Sequence, residues 1–372
     1  MVESVDAAED RRLPRIRRGA FRAFFVYDVA DTIDLASLRT VRGAGVTRAP
    51  LVLRREASSD FIQYPKPPLI VRLPDVEEPK ATVRAKLFDY GVISIRLSVP
   101  FQGSWLEFAA ATRRLRRDPR IENRARTALA DVCAEIDHAL DEPHEPLVED
   151  YFIFEVEAFE EPVASRHLVG EYASELASLI LSEEPRLTQA EVQEALRVSF
   201  SYFEDDLVVV QWDAAFVYER NEGAEAVEDI LEFANTQLAE FRTYDARLDA
   251  ELDAIYALEP GRSERRFLRR RSAQSAAHLR YLLVDVLELT DRTSNALKII
   301  GDAYYARLYR GAAGRLGLAD WQRQIDAKLR SVSKMYRVFQ DQAQRVRSEF
   351  LEYVIIALIA LEAVIGILAL RH

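Results

Sequence analysis

The longest nearly continuous apolar stretch of the chain lies near the C-terminus. From Tyr353 to Leu370 the chain is apolar except for Glu362. A helix of about 20 residues, rising about 1.5 Å per residue, is about 30 Å long, which matches the hydrocarbon thickness of a bilayer. The pattern predicts a single transmembrane helix over residues 350–370. A buried core helix is the alternative interpretation.

Ahead of this stretch, apolar residues recur at alternating spacings of four and three, as in a coiled coil. We predict a stalk helix over residues 318–349 that continues into the apolar stretch. Its seam packs either against earlier helices of the same chain or against a second copy, and the sequence leaves both open. The predicted seam residues are Ile325, Leu329, Val332, Tyr336, Phe339, Val346 and Phe350.

Two further helical segments with the same spacing precede the stalk. The first, from Val227 to Ile255, is rich in acidic residues, and the second begins in a basic run at 262–271. Opposite charges and a short turn favour antiparallel pairing. We therefore predict a helical hairpin and a looser connector over residues 223–317.

Residues 20–222 differ from the long helical segments that follow them, because short strand-like and helix-like segments alternate irregularly there. Phe21–Val29 is β-branched and aromatic, as expected of a strand, and Ser104 and Thr188 stand where a helix N-cap is expected. The lack of a regular β-α-β alternation favours an α+β domain. The predicted fold class is an α+β N-terminal domain, a long-helix or coiled-coil region and a C-terminal transmembrane helix, preceded by a basic arm at 1–19.

Composition and charge narrow the function classes. The 372 residues are 49% hydrophobic and 30% charged, which describes a folded protein. A net charge of -11 counts against a sequence-specific nucleic-acid partner, because an acidic body repels phosphates. Cys133 is the single cysteine of the sequence, which excludes an intramolecular disulfide and a cysteine-cluster zinc site.

The arginines around the apolar stretch predict an orientation. Arg337, Arg345 and Arg347 precede it, and Arg371 follows it. Because positive charge favours the cytoplasmic side, we predict a single-pass membrane protein with its body in the cytoplasm.

Polar residues at two places are candidate sites. Glu362 lies near the middle of the predicted span, where a carboxyl group is costly and often functional, and Glu352 lies at its edge. A tolerated polar residue is the alternative for Glu362. The basic arm is either solvated or in contact with anionic lipid or RNA. Its arginines are Arg11, Arg12, Arg15, Arg17 and Arg18.

The sequence carries no motif of catalysis or ligand binding. His138 and His144 lie near one loop but lack metal-ligand spacing, and neither a phosphate-binding loop nor a nucleophile motif occurs. We therefore predict no cofactor, no metal and no catalytic residue.

Three segments resemble an uncharacterised family named for proteins required for meiotic nuclear division. They are the strand and helix start at Phe24–Leu35, the glycine-containing strand at Phe88–Ser94 and the stretch Leu351–Glu362. Tyr353 departs from the tryptophan that members often carry. The resemblance implies a membrane-anchored, oligomer-forming protein, and for organelle members a link to translation at the inner membrane. It carries over no catalytic residue.

These observations support two functional hypotheses. The first is a non-enzymatic, tail-anchored membrane scaffold that forms homo-oligomers and presents its α+β domain to a protein or ribosome partner. The alternative is a membrane-tethered enzyme or nucleotide-responsive regulator with a site in residues 20–220. A pocket with convergent titratable groups would favour the alternative, and an exposed patch would favour the scaffold.

Overall fold

The computed structural model describes most of the chain. The described residues are 13–40, 52–54, 64, 66–77, 79–184, 186–219, 222–256, 283–284, 286–293, 300–334, 337, 355 and 358. The chain divides into two compact units. One comprises Met1–Thr243 and Leu289–Trp321, and the other comprises Tyr244–Glu288 and Gln322–His372.

A nine-stranded mixed sheet forms the centre of the first unit, in the spatial order β2-β3-β4-β5-β1-β6-β9-β8-β7. Neighbouring strands are antiparallel, apart from β6 and β9, which are parallel. The strands are β1 (Arg15–Ile33), β2 (Val52–Arg54), β3 (Leu69–Glu77), β4 (Lys80–Leu87), β5 (Val92–Ser104), β6 (Leu140–Phe159), β7 (Ser199–Phe200), β8 (Leu207–Val210) and β9 (Ala214–Tyr218).

Helices connect and cover these strands. They are α1 (Trp105–Arg116), α2 (Pro119–Ile136), α3 (Ser165–Val169), α4 (Ala173–Leu181), α5 (Gln189–Ala195), α6 (Glu222–Tyr256) and α7 (Ala303–Arg315). The predicted caps are present, because Ser104 forms a capping box with Glu107, and the Thr188 hydroxyl accepts from the amide of Glu191. Short 3-10 turns span Ser37–Thr40 and Asp137–Ala139.

Alternation of side chains along each strand gives the sheet two different faces. On one face, which we call the apolar face, aromatic and aliphatic side chains of the central strands form a core with α1, α2 and α4. Residues of this core include Phe21, Phe25, Ile95, Trp105, Ile121, Phe154, Leu176 and Phe216. The intervening residues of the same strands lie on the opposite face, which α6 covers.

Gly91 shapes the turn between β4 and β5 beside the central strand. Its φ of +85° is in the region that L side chains rarely adopt, and a Cβ there would lie 1.7 Å from the carbonyl oxygen of Ala30. The close approach lets the amide of Val29 donate to the carbonyl of Gly91 at 3.0 Å. Glycine is therefore required for this turn to dock on β1.

The predicted membrane anchor is corrected by the structure. No helix among the described residues combines the length and the apolar composition that crossing a bilayer requires. On this finding the transmembrane part of the predicted fold class is wrong, and so are the tail-anchored and single-pass membrane predictions. Within the predicted span, residues 355 and 358 are described, and the remainder lies outside the described residues.

The second unit contains the C-terminal part of α6 and the greater part of a helix at 318–334. Lys328 joins the two, because its Nζ lies 2.7 Å from an Asp245 oxygen and 2.6 Å from an Asp249 oxygen. Gln324 also donates to Asp245, at 3.1 Å. These contacts are formed within one copy of the chain.

Candidate functional site

Charged side chains occupy the face of the sheet that α6 covers. Lys86 of β4, Arg96 of β5, Arg22 of β1 and Glu155 of β6 lie on four adjacent strands, each flanked by residues of the apolar face. They meet three acidic residues of α6. We call the seven residues the buried ionic cluster, and its members are Arg22, Lys86, Arg96, Glu155, Glu228, Asp229 and Glu232.

Each cation of the buried ionic cluster contacts one or two carboxylates. Lys86 Nζ donates to Asp229 Oδ1 and to Glu232 Oε2, both at 2.8 Å. Arg96 Nη1 donates to Glu228 Oε2 at 2.7 Å. Arg22 Nε lies 2.7 Å from Glu228 Oε1, but its hydrogen points to Glu155 Oε2 at 2.8 Å. Glu228 is therefore held by charge on one oxygen and by a hydrogen bond on the other.

The cluster contains four carboxyl groups and three cations, and this excess of acid favours a bound proton. Burial, and then the neighbouring Glu155 and Asp229, raise the pKa of Glu228 to about 7 against the opposing effect of Arg22 and Arg96. Burial lowers the pKa of Lys86, but Glu232 and Asp229 more than offset this, so the net pKa is raised. Burial is thus the main cause of the raised pKa of Glu228, whereas the two neighbouring carboxylates are the cause of the raised pKa of Lys86.

This arrangement suits fastening a helix better than acting on a substrate. Glu228 is 1% exposed, and its charged partners come from the strands beneath it. Among the residues that the structure describes, no group of three histidine, cysteine, aspartate or glutamate side chains could hold a metal ion. The ion pairs of the buried ionic cluster join α6 to the strands beneath it.

The polar contacts continue along α6 at four-residue intervals. Thr236 shares a hydrogen bond with the hydroxyl of Tyr90 at 2.9 Å, and both oxygens of Glu240 lie 2.7 Å from Arg292 Nη1. Arg292 also stacks on the Tyr90 ring, 3.9 Å from its centroid. Burial raises the pKa of Glu240 to about 7, against the attraction of Arg292. Because helix residues four apart share a face, one polar stripe of α6 meets the sheet.

A second feature lies at the surface of the same unit. Tyr202 and Phe203, in the loop between β7 and β8, are each 64% exposed, with ring centroids 4.8 Å apart. The Tyr202 ring also lies 5.5 Å from that of Tyr304, which in turn lies 5.3 Å from Tyr305 at the start of α7. We call these four residues the exposed aromatic surface, with Tyr304 as its buried base.

Two aspartates fix the backbone of this surface. Asp206 accepts hydrogen bonds from the amides of Tyr202 and Phe203, both at 2.7 Å. Asp302, the N-cap of α7, accepts from the amides of Tyr304 and Tyr305 at 2.7 and 3.2 Å. Each aromatic pair is therefore held by one carboxylate, which limits the entropy lost when a ligand binds.

A close helix–strand contact places α7 beside the loop. At Gly311 of α7 an added Cβ would lie 2.4 Å from the Phe200 ring and 3.1 Å from Val198. Since only glycine allows this approach, α7 packs directly on β7, and its first turn reaches the loop that follows.

The arginines of the predicted basic arm lie partly on β1. Arg15 pairs with Glu160 at 3.2 Å and Arg18 contacts Glu157, both on the surface, and Arg17 is exposed. Arg11 and Arg12 lie outside the described residues. Contact with lipid or RNA stays a prediction.

The other predicted site residues are described only in part. Ile325, Leu329 and Val332 lie on the helix at 318–334 and are buried within the single chain. The remaining seam residues, Tyr336, Phe339, Val346 and Phe350, and the two glutamates, Glu352 and Glu362, lie outside the described residues. The role of these residues stays a prediction.

Sequence reasoning missed the buried ionic cluster, although a signal was present. Arg22 interrupts the apolar run of β1, Lys86 stands between Ala85 and Leu87, and Arg96 stands between two apolar residues of β5. A charged residue in such a strand indicates a second buried face with a partner of opposite charge.

The fold and the cluster together define a mixed α/β domain whose long helix is held by buried ion pairs. The family model described as "Uncharacterized protein MJ0711, N-terminal domain" matches residues 18–225. This is more than half of the chain, so the chain belongs to that family. The resemblance to the meiotic nuclear division family is wrong on this finding. The match includes the strand residues of the cluster and ends at the start of α6.

One curated relative is the uncharacterized protein MJ0711 of Methanocaldococcus jannaschii. It is 22% identical over 220 residues, which cover 59% of this chain and 66% of the relative. The match thus spans just under two thirds of that protein. No solved structure matches the chain.

Proposed function

We propose that this protein is a non-enzymatic scaffold that binds a protein partner through the exposed aromatic surface. The observation that supports the proposal is the exposure of Tyr202 and Phe203 to solvent. Asp206 fixes their backbone, because it accepts hydrogen bonds from both amides. Large exposed aromatic side chains with fixed backbones are typical of protein-binding surfaces.

The charged groups of the first unit favour this function over catalysis. The members of the buried ionic cluster contact one another and are largely shielded from solvent. A catalytic acid or base must contact its substrate, whereas a binding scaffold needs a rigid support. The cluster fastens α6 to the sheet, and α6 in turn contacts α7, where the Tyr309 hydroxyl donates to Gln237.

The proposal is tested by comparing three forms of the full-length protein in affinity purification from its native cells. They are the wild type, the double variant Tyr202→Ser/Phe203→Ser and the control Leu106→Ser, which removes an apolar side chain of similar exposure from α1. A protein captured by the wild type and the control, and lost from the double variant, is then purified and its direct binding is measured by calorimetry.

We expect direct binding to weaken at least about tenfold in the double variant, because aromatic residues carry much of the energy of such interfaces. Thermal unfolding checks that the variant remains folded, as the exposure of both side chains predicts. Equal direct binding by the wild type and a folded double variant would overturn the proposal.

A further inference from the structure

Carboxylates surround the exposed aromatic surface. Glu204, next to Phe203, has an 88% exposed side chain that lies 3.9 Å from Arg166. Asp206 and Asp302 accept hydrogen bonds from the backbone amides of the two aromatic pairs. The surface therefore combines aromatic rings with negative charge, and both features favour a cationic ligand.

Further acidic residues influence the pKa values of Tyr304 and Tyr305 and therefore lie close to them. Burial raises the pKa of Tyr305 to about 12, and Glu219, Asp302 and Asp206 add to the increase. The same acidic groups, Asp206 and Glu219, raise the pKa of Tyr304 after burial, and Arg307 opposes them. Acidic groups thus act on Tyr304 and Tyr305 beside the exposed rings, and negative charge there attracts cations and repels phosphate or acidic peptides.

An arginine of α7 already lies near one ring of this surface. The guanidinium carbon of Arg307 lies 5.9 Å from the centroid of the Tyr304 ring. This is within the distance of about 6 Å over which a cation is attracted to an aromatic face. Tyr202 and Phe203 present more exposed rings on the same surface, next to Glu204.

We infer that the partner presents an arginine-bearing segment, whose guanidinium stacks on Tyr202 or Phe203 and bonds to the carboxylate of Glu204. Arginine fits better than lysine, since its planar group stacks on rings and donates to both oxygens of a carboxylate. This inference rests on the proposed function and names the chemistry of the partner at that same surface.

The test uses three labelled nine-residue peptides and fluorescence anisotropy with the full-length protein. The peptides carry two arginines, two lysines or two citrullines in the same glycine-serine background. Citrulline keeps the shape and loses the charge. We expect the arginine peptide to bind at least about tenfold more tightly than the citrulline peptide, with lysine between them, and binding to weaken as salt rises.

Two variants locate the binding. Tyr202→Ser/Phe203→Ser should abolish binding of the arginine peptide, and Glu204→Gln should weaken it about threefold to tenfold. The matched control is Glu122→Gln on α2, another exposed carboxylate with a nearby arginine, and it should bind like the wild type.

The outcomes separate the two proposals. Equal binding of the arginine and citrulline peptides, or equal loss in Glu204→Gln and Glu122→Gln, would overturn the arginine inference. If the captured partner still required Tyr202 and Phe203 in that case, the proposed function would stand. If both the arginine peptide and the partner bound the double variant as tightly as the wild type, both proposals would be wrong.

Discussion

The two faces of the central sheet hold their helices in different ways. On the apolar face, aromatic rings of β1, β6 and β9 pack against α1, and Trp105 lies 5.9 Å from Phe216 between ring centroids. On the opposite face, which we call the charged face, acidic residues of α6 meet cations of β4, β5 and β1, and Arg242 of α6 contacts Glu149 of β6. Burial of apolar area supplies the stability of the first contact, at roughly 25 cal/mol for each Å².

The ion pairs of the charged face affect the position of α6 more than the stability of the domain. A buried ion pair contributes little net stability, because desolvation offsets the attraction, but losing one partner is costly. Apolar contacts tolerate small shifts of a helix, whereas a shift of α6 by one residue would separate Lys86 from Glu232 and Arg96 from Glu228. We expect the apolar face to set how stable the domain is, and the charged face to set where α6 lies.

The largest expected effect is on the apolar face. Replacing Phe216 by alanine removes a fully buried ring beside Trp105 and should lower the free energy of unfolding by about 3–5 kcal/mol. The loss should be similar at pH 5 and pH 8, since no charge is involved. Urea unfolding of the wild type and variant at both pH values measures it.

Leu106→Ala serves as the control, because this side chain is largely exposed and should change the stability by less than about 0.5 kcal/mol. A loss in Phe216→Ala that matched the control would mean that the apolar face is not the main source of stability.

The next effect comes from breaking one ion pair on the charged face. Lys86→Met removes the cation that contacts Asp229 and Glu232 and should lower the free energy of unfolding by about 3 kcal/mol. Asp229 is partly open to water, which limits the loss. Combining Lys86→Met with Glu232→Met removes a charge of each sign and should recover more than half of it. If the double variant were as unstable as the sum of its single variants, Lys86 and Glu232 would not act as a pair.

Local patterns predicted several elements of the apolar face. The aromatic run at Phe21–Val29 lies within β1, and the capping residues Ser104 and Thr188 begin helices as expected. These signals depend on neighbours in the sequence. By contrast, the helix start that the resemblance implies within Phe24–Leu35 lies further along the chain, because Thr32 and Ile33 still pair with the distant strand β6 and a 3-10 turn follows only at Ser37–Thr40.

The charged face could not be predicted in the same way. The sequence predicts that the acidic residues of α6 pair with a basic run at 262–271, which lies outside the described residues. In the structure they meet strand residues far away in the sequence, as with Lys86 and Glu232, 146 positions apart. The exposed aromatic surface likewise joins Tyr202 to Tyr304. Single-sequence periodicity shows which residues share a helix face but not which strand that face will meet.

The smallest effect should appear as a pH dependence on the charged face. Glu149 of β6 contacts Arg242 of α6, and burial raises its pKa from 4.5 to about 7, with Asp150 adding to the increase and Arg242 opposing it. Between these pH values the folded state binds more protons than the unfolded state. The contribution of Glu149 to stability is therefore greatest below pH 4.5 and is lost as the pH rises towards 7.

Glu149→Gln cannot bind this proton. Between pH 4.5 and pH 8 the free energy of unfolding of the wild type should therefore fall by roughly 1–3 kcal/mol relative to that of the variant. Urea unfolding at half-unit pH steps measures the difference. Glu107→Gln is the control, because its capping bonds with Ser104 lower the pKa of Glu107, so its contribution changes only below pH 4.5 and with the opposite sign. Parallel stability profiles for the wild type and Glu149→Gln across this range would show that Glu149 is already ionised at pH 5, and that the charged face does not respond to pH at this position.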